Sequence, residues 1–509
     1  AIFILLLACI NFINLSTARS MSRSREVGIR KVLGTSKAKL IVQFLSESAL
    51  TVVIAMILAV AAAWQILPLF NTLSAKTLSP SLLVSTNMVI TIIALPIIVS
   101  LLAGSYPSLF LSSFNPVTVL KGKMGIGSHK SNLRNGLVIF QFATSIVLII
   151  ATITVYRQLD YIQTRKLGFN KEQVLVVDGT HVLATRTSAF MNEISRLPGV
   201  ISATNAGFLP VSASARNDNT FWKDAVFTAS NNFNMQTWAV DEKYIPTLGM
   251  EMKSGRNFSK SFGTDSSGII INETTASMLG FSDPIGKKIY TLIDNSTNVS
   301  KAYEIIGVVK NFNYESLRQR IGPLAMVLGE ASWSTAFRVK PENAKAIVDQ
   351  VEAEWKSLST GTPFSFRFLD ESFNNMYRAE QQVGRVAIAF AAIAVIIACL
   401  GLFGLATYMA EQRTKEIGVR KVLGASVNNI VMMLSRDFLV LIFIASLIAF
   451  PIAWWAMHTW LQDFEYRISV GWWIFIVSGV LAILVALCTI SFQAIRAALS
   501  NPVKSLRTE

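Results

Sequence analysis

The residues that could carry out enzymatic chemistry are few, and their spacing fits no catalytic motif. Residues Gly280 to Lys287 come nearest to a phosphate-binding P-loop. Five residues separate the two glycines where that motif has four, and Lys288 stands where Ser or Thr is needed. The serines in residues 101–113 lack the G-x-S-x-G elbow of a nucleophile. The sequence therefore predicts that this chain does not hydrolyse ATP itself.

Side chains that bind metals are also badly spaced. Three histidines are far apart and form no zinc-binding pattern: His129, His181 and His458. Three cysteines each lie within an apolar run, where they give neither a disulfide framework nor a metal site: Cys9, Cys399 and Cys488. Three acids are interpreted as ordinary loop residues: Asp178, Asp218 and Asp265. We predict no catalytic residue, no metal site and no directly bound cofactor.

A nine-residue motif with features of a binding surface occurs twice. Residues 26–34 read EVGIRKVLG and residues 416–424 read EIGVRKVLG, which makes seven of the nine positions identical. Glu26 and Arg30 are four residues apart, as are Glu416 and Arg420, and this order of charges supports an exposed helical turn. Each copy therefore predicts a short charged helix.

Neighbouring residues define the ends and faces of these two helices. A glycine in each copy can supply a left-handed helix end, and a serine two residues later can cap the next helix: Gly34 with Ser36, and Gly424 with Ser426. Three residues of the first copy form an apolar face: Ile29, Val32 and Leu33. One more glycine in each copy removes bulk where another surface could approach closely: Gly28 and Gly418.

Two interpretations suit such a helix. It could lie on anionic lipid, which requires positive charge but no particular sequence. It could instead bind a protein, and near-identity of two copies 390 residues apart favours two contacts with a partner of the same shape. We favour the protein partner.

The composition places both motifs beside membrane spans. Of the 509 residues, 52% are hydrophobic and 15% are charged, and the mean hydropathy is +0.47, whereas soluble domains carry about 25% charged residues. A bilayer crossing takes roughly 20 apolar residues. Seven spans are predicted: Ala1–Leu15, Phe44–Leu67, Met88–Phe110, Gly136–Tyr156, Gly384–Met409, Phe438–Trp460 and Trp472–Phe492. They contain almost no ionisable residues, which argues against an ion-coupled secondary transporter.

The net charge of +15 is concentrated in connecting segments and does not indicate nucleic-acid binding. Lysine and arginine are abundant in residues 19–39, 121–134, 411–436 and 496–509, and scarce in 71–86 and 461–471. Rich and poor segments alternate with each crossing, so the positive-inside rule assigns the rich ones and the C-terminus to the cytoplasm.

The long segment 157–382 is then on the outer side of the membrane. Its pattern alternates irregularly between short apolar strands and amphipathic helices, which is typical of an α+β fold. The predicted strands are Gln173–Val177, Gly268–Ile271 and Glu304–Val309, and the predicted helices are Ser188–Leu197 and Asn343–Leu358.

At these motifs the sequence resembles the FtsX-like permease family, and within it the MacB-like branch of bacterial ABC permeases. The two nonapeptides carry the resemblance, together with Asn-Pro-Val segments at 115–117 and 501–503 that follow the third span of each half. It continues in the outer segment at residues 197–200, 255–258, 271–273, 283–287 and 306–309.

The resemblance implies a permease of the bacterial inner membrane that acts as a homodimer or with a paired permease. ATP would act through a separate cytoplasmic ABC ATPase, and each nonapeptide would lie on that ATPase as a coupling helix. The expected ATPase-coupling residues are Glu26, Gly28, Arg30, Lys31, Gly34, Glu416, Gly418, Arg420, Lys421 and Gly424.

The expected function is export or extraction of a peptide, drug or lipoprotein, with membrane lipid and a periplasmic adaptor or outer-membrane channel as further partners. The alternative is a signalling module whose ATP-driven motion activates a cell-wall hydrolase.

The expected organisation is a duplicated three-span block. Residues 1–122 form the first block with its coupling helix near 22–34, residues 123–156 a linker and stalk span, residues 157–382 the outer domain, and residues 383–509 the second block with its coupling helix near 412–424. The chain starts at Ala1 inside a short apolar stretch, and only its second block is preceded by a span and an outer domain. We therefore expect another span and outer domain upstream of Ala1.

Overall fold

The computed structural model describes residues 2–20, 23–74, 76–112, 128–211, 217–228, 230–294, 299–329, 333–359 and 361–498. The chain divides into two compact units. The first, here called the membrane unit, comprises Ala1–Leu159, Glu380–Leu461 and Ile468–Glu509. The second, here called the large domain, comprises Asp160–Ala379 and Gln462–Arg467.

Five helices come first in the described part of the chain. They are α1 (Ile2–Ser20), α2 (Ser24–Val32), α3 (Lys37–Ser74), α4 (Thr86–Ser112) and α5 (Ser128–Thr164), with a 3-10 turn at Pro80–Val84 between α3 and α4. Helices α3, α4 and α5 are long and apolar enough to cross a membrane, whereas α1 holds only a shorter apolar stretch. The described part of the predicted span Ala1–Leu15 therefore lies in α1, whose apolar stretch Ile2–Thr17 is shorter than the six long helices.

Eleven strands and five helices make up the described part of the large domain. The strands are β1 (Val174–Asp178), β2 (Val200–Ala206), β3 (Asp218–Trp222), β4 (Asn232–Val240), β5 (Met252–Gly255), β6 (Gly268–Asn272), β7 (Lys288–Asp294), β8 (Val299–Val309), β9 (Leu324–Leu328), β10 (Ser334–Val339) and β11 (Phe366–Phe368). The helices are α6 (Thr187–Ser195), α7 (Tyr244–Thr247), α8 (Glu273–Leu279), α9 (Ala344–Leu358) and α10 (Leu369–Met376). The α+β prediction is confirmed, and the three predicted strands correspond to β1, β6 and β8.

Six of these strands close into a ring. Their order is β4-β3-β7-β8-β6-β9, and β9 returns to pair in parallel with β4, where Gln236 lies opposite Leu324 and Val240 opposite Leu328. All six strands contribute buried side chains to one apolar cluster: Phe221, Met235, Ile269, Ile271, Ile289, Ile305, Val308 and Ala325. This closed barrel needs no helix to cover its edges, because pairing of β9 with β4 leaves the ring without an open edge.

Four other strands form an open antiparallel sheet in the order β11-β1-β10-β2, and β5 pairs with β8 of the ring. Helices α6 and α9 bury their apolar faces on it, with Ile347, Val351 and Trp355 spaced four residues apart along α9. Strand β2 joins the ring through one residue pair, Ala206 with Val240. The large domain thus consists of a barrel and a helix-covered sheet that share a short junction.

Four helices complete the part of the chain that the structure describes. They are α11 (Arg378–Gln412), α12 (Thr414–Val422), α13 (Val427–Leu461) and α14 (Trp472–Ala498). Helices α11, α13 and α14 are long enough to span a membrane, which gives six such helices among the described residues. Helices α5, α11, α13 and α14 pack around one apolar cluster rich in alanine, including Ala445, Ala449 and Ala486. Small residues of this kind let membrane helices approach closely.

Helix α1 lies against α11 at two glycines. A methyl group at Gly404 would overlap the Leu15 side chain, and one at Gly401 would come within 2.7 Å of Asn11 Oδ1. The two halves of the membrane unit are therefore in direct contact along these helices.

Candidate functional site

The two repeated segments fold into the same helix and end in the same turn. Helix α2 ends where the N–H groups of Gly34 and Thr35 donate to the carbonyls of Lys31 and Arg30, at 3.1 and 3.0 Å. Helix α12 ends with the same pair of bonds, from Gly424 to Lys421 and from Ala425 to Arg420, at 3.1 and 2.9 Å. This is the Schellman arrangement, which requires a left-handed residue after the helix. The two glycines have φ of 90° and 87°, so the predicted helix ends are confirmed.

The charged pairs inside the motif also form as predicted. Arg30 Nη2 lies 2.8 Å from Glu26 Oε1, and Arg420 Nη2 lies 2.8 Å from Glu416 Oε1. The backbone N–H groups of Lys39 and Asn429 lie 3.4 and 3.3 Å from the preceding serine hydroxyls, as capping requires. All four charged side chains are partly exposed, so each pair contributes only a few tenths of a kcal/mol to helix stability.

The apolar residues of each motif divide between a buried and an exposed side. On the buried side, Val27 and Ile417 pack on the start of the following helix in two equivalent clusters: Val27, Leu40, Phe44 and Leu111, and Ile417, Ile430, Leu434 and Ala494. On the exposed side, Leu33 and Leu423 each have 79% of their surface exposed. Each is accompanied by exposed neighbours, Ile29 with Val32 and Val419 with Val422.

The exposed side of α12 borders a groove. Its cavity volume is about 270 Å³, and its lining includes Arg420, Leu423, Gly424, Asn429 and Met433. A leucine beside an arginine at the edge of a groove presents apolar area and positive charge together. Such a surface is chemically suited to an apolar partner site with an acidic rim.

A second ion pair in each copy was not found from the sequence. Arg23 Nη1 lies 2.6 Å from Glu47 Oε2, and Arg413 Nη2 lies 3.2 Å from Asp437 Oδ2. Each joins the residue just before the short helix to the following long helix. The available signal was the spacing, because both pairs are separated by 24 residues and are offset by 390 from one another.

Three of the predicted coupling residues are engaged within the chain. Gly28 and Gly418 are buried, so the surface that approaches them belongs to this chain. Lys31 Nζ donates to the carbonyl of Ser112 at the end of α4, at 2.6 Å. The exposed part of the candidate site therefore centres on Arg30 and Arg420 from the predicted set, and it includes Leu33 and Leu423, which are not in that set.

The P-loop-like stretch has the wrong structural context for phosphate binding. Gly280 ends α8 with φ of 68°, and Gly286 precedes β7. A P-loop runs from a strand into a helix, whereas this stretch runs from a helix into a strand.

The other candidate side chains have structural partners. His181 lies beside Trp333 with ring centroids 4.5 Å apart, His458 stacks on Trp454 at 5.1 Å, and the side chain of His129 lies outside the described residues. Asp178 accepts hydrogen bonds from Arg367 and Ser334 across strands. Within the described ranges no three His, Cys, Asp or Glu side chains are grouped to hold a metal ion.

Asp265 is fully buried and receives two bonds from Arg256, at 2.6 and 2.8 Å, and one from the N–H of Ser259 at 2.9 Å. The bonds from Arg256 hold the pKa of this carboxyl below its ordinary value, against the opposite effect of burial. Asp265 is therefore a structural anchor of the barrel.

Within the described ranges, six long apolar helices, two short repeated helices and a large α+β domain define a multi-pass membrane protein with a substantial domain outside the bilayer. The FtsX-like permease C-terminal model matches residues 1–116 and 388–502, and the MacB-like periplasmic core domain model matches residues 142–354. The chain belongs to the FtsX-like permeases that carry a MacB-like periplasmic domain. The Asn-Pro-Val segments that contributed to the resemblance lie outside the described residues.

Curated relatives match a part of the chain. The macrolide export ATP-binding/permease protein MacB of Neisseria gonorrhoeae is 26% identical over 207 residues, which is 38% of this chain and 31% of that protein. The protein of the same name from Bdellovibrio bacteriovorus is 29% identical over 112 residues, or 22% of this chain and 17% of that one. The chain thus matches less than a third of the length of these relatives.

Solved structures with similarity include the periplasmic region of MacB from Actinobacillus actinomycetemcomitans, at 13% identity and a TM-score of 0.30, covering 41% of this chain and 94% of that one. The extracellular domain of the ABC-type transporter YknZ from Gram-positive bacteria is 12% identical with a TM-score of 0.26, covering 42% and 92%.

Proposed function

We propose that this chain is the permease subunit of an ATP-driven ABC-type complex in the bacterial inner membrane, and that α2 and α12 are its two coupling helices. ATP is bound and hydrolysed by a separate cytoplasmic ATPase, whose motion the permease transmits to the large domain on the outer side. The observation that carries the proposal is the same exposed set of leucine, valine and arginine side chains on two helices 390 residues apart.

The shape of this surface supports a protein partner more than lipid. Leu33 and Leu423 stand at the last turn of each helix, next to the arginine of an ion pair. Adsorption to anionic lipid needs only a cluster of positive charge. In each motif, however, the arginine forms an ion pair with the glutamate of the same motif. A protein groove with an apolar floor and an acidic rim uses both features of the surface.

The proposed topology follows from the charge of the connecting segments. The loops that contain Arg30 and Arg420 and the C-terminus face the cytoplasm, and the large domain faces outward. Helix α1 is the seventh span, and the three-span blocks around α2 and α12 arose by duplication. The complex contains a second permease copy or a paired permease, with a periplasmic adaptor or outer-membrane channel as a further partner.

The cargo class we propose is a peptide, drug or lipoprotein that is exported or extracted on the outer side. The alternative function is a signalling module in which the same motion activates a cell-wall hydrolase. The proteins that co-purify with the chain separate the two functions, since a hydrolase belongs to the second and a channel with its adaptor to the first.

Photo-crosslinking tests the coupling role. A photoreactive amino acid is placed at Leu33, at Leu423 or, as a control in the large domain, at the exposed residue Val226, and adducts are identified by mass spectrometry. We expect the same ATPase subunit at positions 33 and 423 and none at 226. Adducts with lipid alone at both test positions refute the proposed role.

A further inference from the structure

A short segment between two membrane helices is built into the large domain. The chain leaves the membrane unit after Leu461 at the end of α13, contributes Gln462–Arg467 to the large domain, and returns to the membrane unit at Ile468 before α14. We call residues 462–467 the link segment. Its backbone is bonded to the large domain, because the N–H groups of Glu465 and Tyr466 donate to the carbonyls of Arg318 and Leu317, both at 3.3 Å.

The side chains of the link segment add three further contacts. Phe464 is completely buried, and the guanidinium of Arg318 lies 4.8 Å from its ring centre. The ring of Tyr466 lies 4.1 Å from the guanidinium of Arg165. Arg320 Nε and Glu465 Oε1 are 2.9 Å apart, but this pair is exposed, so Phe464 is the main anchor.

Residues 313–320 of the large domain, here called the receiving strip, accept the backbone bonds of the link segment. They are also bonded to chain segments next to two other helices. The N–H of Leu317 donates to the hydroxyl of Tyr377, at 2.6 Å, and Tyr377 is the residue just before α11. The N–H of Asn313 donates to the carbonyl of Leu167, at 2.7 Å, three residues after the end of α5. Residues 313–320 are thus bonded to the chain segments that continue from α5, α11 and the α13–α14 pair.

We infer that the link segment is a third mechanical connection, through which α13 and α14 move the large domain directly. The inference rests on the proposed function, in which ATP-driven motion reaches that domain. Without the link segment, motion could pass only along α5 and α11, which continue covalently into the large domain. Buried Phe464 and two backbone bonds make residues 313–320 follow the ends of α13 and α14 as well.

The motion would arrive at a polar cleft. Several residues between 314 and 323 line a cavity of about 180 Å³ together with residues of β3 and β4, and the polar lining includes Asp218, Gln236, Gln319 and Arg320. A displacement of residues 313–320 changes the shape of that cleft. The link segment therefore connects two membrane helices to a cleft on the large domain whose shape can change with their motion.

The first test measures the attachment itself by hydrogen–deuterium exchange on the full chain in lipid nanodiscs. In Phe464→Ala, peptides covering 462–467 and 313–321 should exchange at least roughly tenfold faster, since the lost burial corresponds to about one order of magnitude or more in the opening equilibrium. The control is Asp463→Ala, an exposed residue of the same segment, which should leave exchange unchanged. Unchanged exchange in Phe464→Ala overturns the attachment.

The second test uses the full chain with its co-purified ATPase and compares exchange of 313–321 with and without vanadate-trapped ATP. Phe464→Ala should keep normal ATPase stimulation and show a smaller ATP-dependent change, because the segments from α5 and α11 remain bonded to residues 313–320. Arg320→Cys with Glu465→Cys, joined by a short dithiol-reactive linker in a variant whose three native cysteines are Ser, should retain the full change. An undiminished change in Phe464→Ala, or loss in the linked variant, overturns the inference.

Failure of the proposed function gives a different result. If the chain has no ATPase partner, none co-purifies and no variant shows ATP-dependent exchange, whereas the first test still decides whether the link segment is held by Phe464. If the coupling role is correct and the link is not, ATPase stimulation and the ATP-dependent change both persist undiminished in Phe464→Ala.

Discussion

Replacing the exposed leucines Leu33 and Leu423 with serine should weaken ATPase binding without harming the fold. Burying a leucine side chain fully contributes about 1.5–3 kcal/mol. Each of these leucines is 79% exposed in the free chain, so a partner can gain roughly 1.2–2.4 kcal/mol per site by covering it. Loss at both sites amounts to about 2.4–4.8 kcal/mol, which corresponds to a fall in affinity of about 50-fold to 3,000-fold.

The same change should leave the isolated chain intact, because exposed substitutions usually alter stability by less than about 0.5 kcal/mol. The assay compares ATPase affinity for the nanodisc-embedded chain in wild type and in Leu33→Ser with Leu423→Ser. The matched control is Ala38→Ser with Asn428→Ser, which changes exposed residues of the next turn that differ between the copies.

A double leucine variant that folds, inserts and binds the ATPase within about threefold of wild type would refute the reasoning. The calculated loss would then be absent at both sites, and the exposed leucines would have to serve another purpose. A loss of binding in the control as well would place the contact on the following turn.

Three further predictions concern charge, topology and the large domain. Reversing the glutamate in both motifs (E26K with E416K) should impair ATPase stimulation while membrane insertion stays normal, since losing an exposed i,i+4 pair costs only about 0.2–0.5 kcal/mol; normal stimulation counts against the coupling role. In intact cells, an impermeant thiol reagent should label Val226→Cys and leave Leu423→Cys unlabelled; the reverse pattern inverts the topology. Arg256→Ala leaves the buried carboxylate of Asp265 unpaired and should lower the free energy of unfolding of the large domain by about 2–3 kcal/mol, measured by thermal unfolding. This loss lies at or below the low end for a buried pair, because Arg256 is 38% exposed. Because that carboxyl has a lowered pKa, the pair's contribution is present at neutral pH and is lost as pH falls through that pKa, so the acid-induced decrease in stability should shrink in the variant.

Val226 is a better label site than Trp222. Both residues lie in the segment 157–382 that is predicted to be on the outer side, but Trp222 is not accessible to a reagent. It is 2% exposed, because it packs at the end of β3 against Phe227 and Tyr290. Topology can be read from charge along the chain, but the burial of one side chain depends on which strand lies beside it.

The long apolar helices were predictable because a bilayer crossing leaves a run of about 20 apolar residues in the sequence. The ends of these helices were less predictable. Helix α3 starts at Lys37, seven residues before the predicted span, and α11 runs from Arg378 to Gln412, beyond the apolar run at both ends. Helical backbone continues into polar sequence because nothing there breaks it, and hydropathy records only the part in the hydrocarbon.

The closed barrel could not be predicted in the same way. Its defining pair joins β4 and β9 in parallel, with Gln236 opposite Leu324, and the strands are separated by most of the barrel's sequence. Alternation within a strand shows which side chains are buried but not which strand is the neighbour. The strands predicted from the sequence, β1, β6 and the end of β8, contain buried apolar runs, but β9 contains a similar run and was not predicted.

The candidate site was found because it repeats, and comparison of the two copies indicates what constrains it. Exposed positions usually tolerate change, while buried positions are held by packing. In these copies the buried anchors differ, as do the acids of the second ion pair and the three residues of the next turn: Val27 and Ile417, Phe44 and Leu434, Glu47 and Asp437, and residues 37–39 and 427–429. The exposed valine, leucine and arginine are the same in both, whereas the exposed Ile29 is matched by Val419. Packing within the chain does not account for identical side chains at these three exposed positions, which supports the proposal that both helices bind the same kind of surface on a partner.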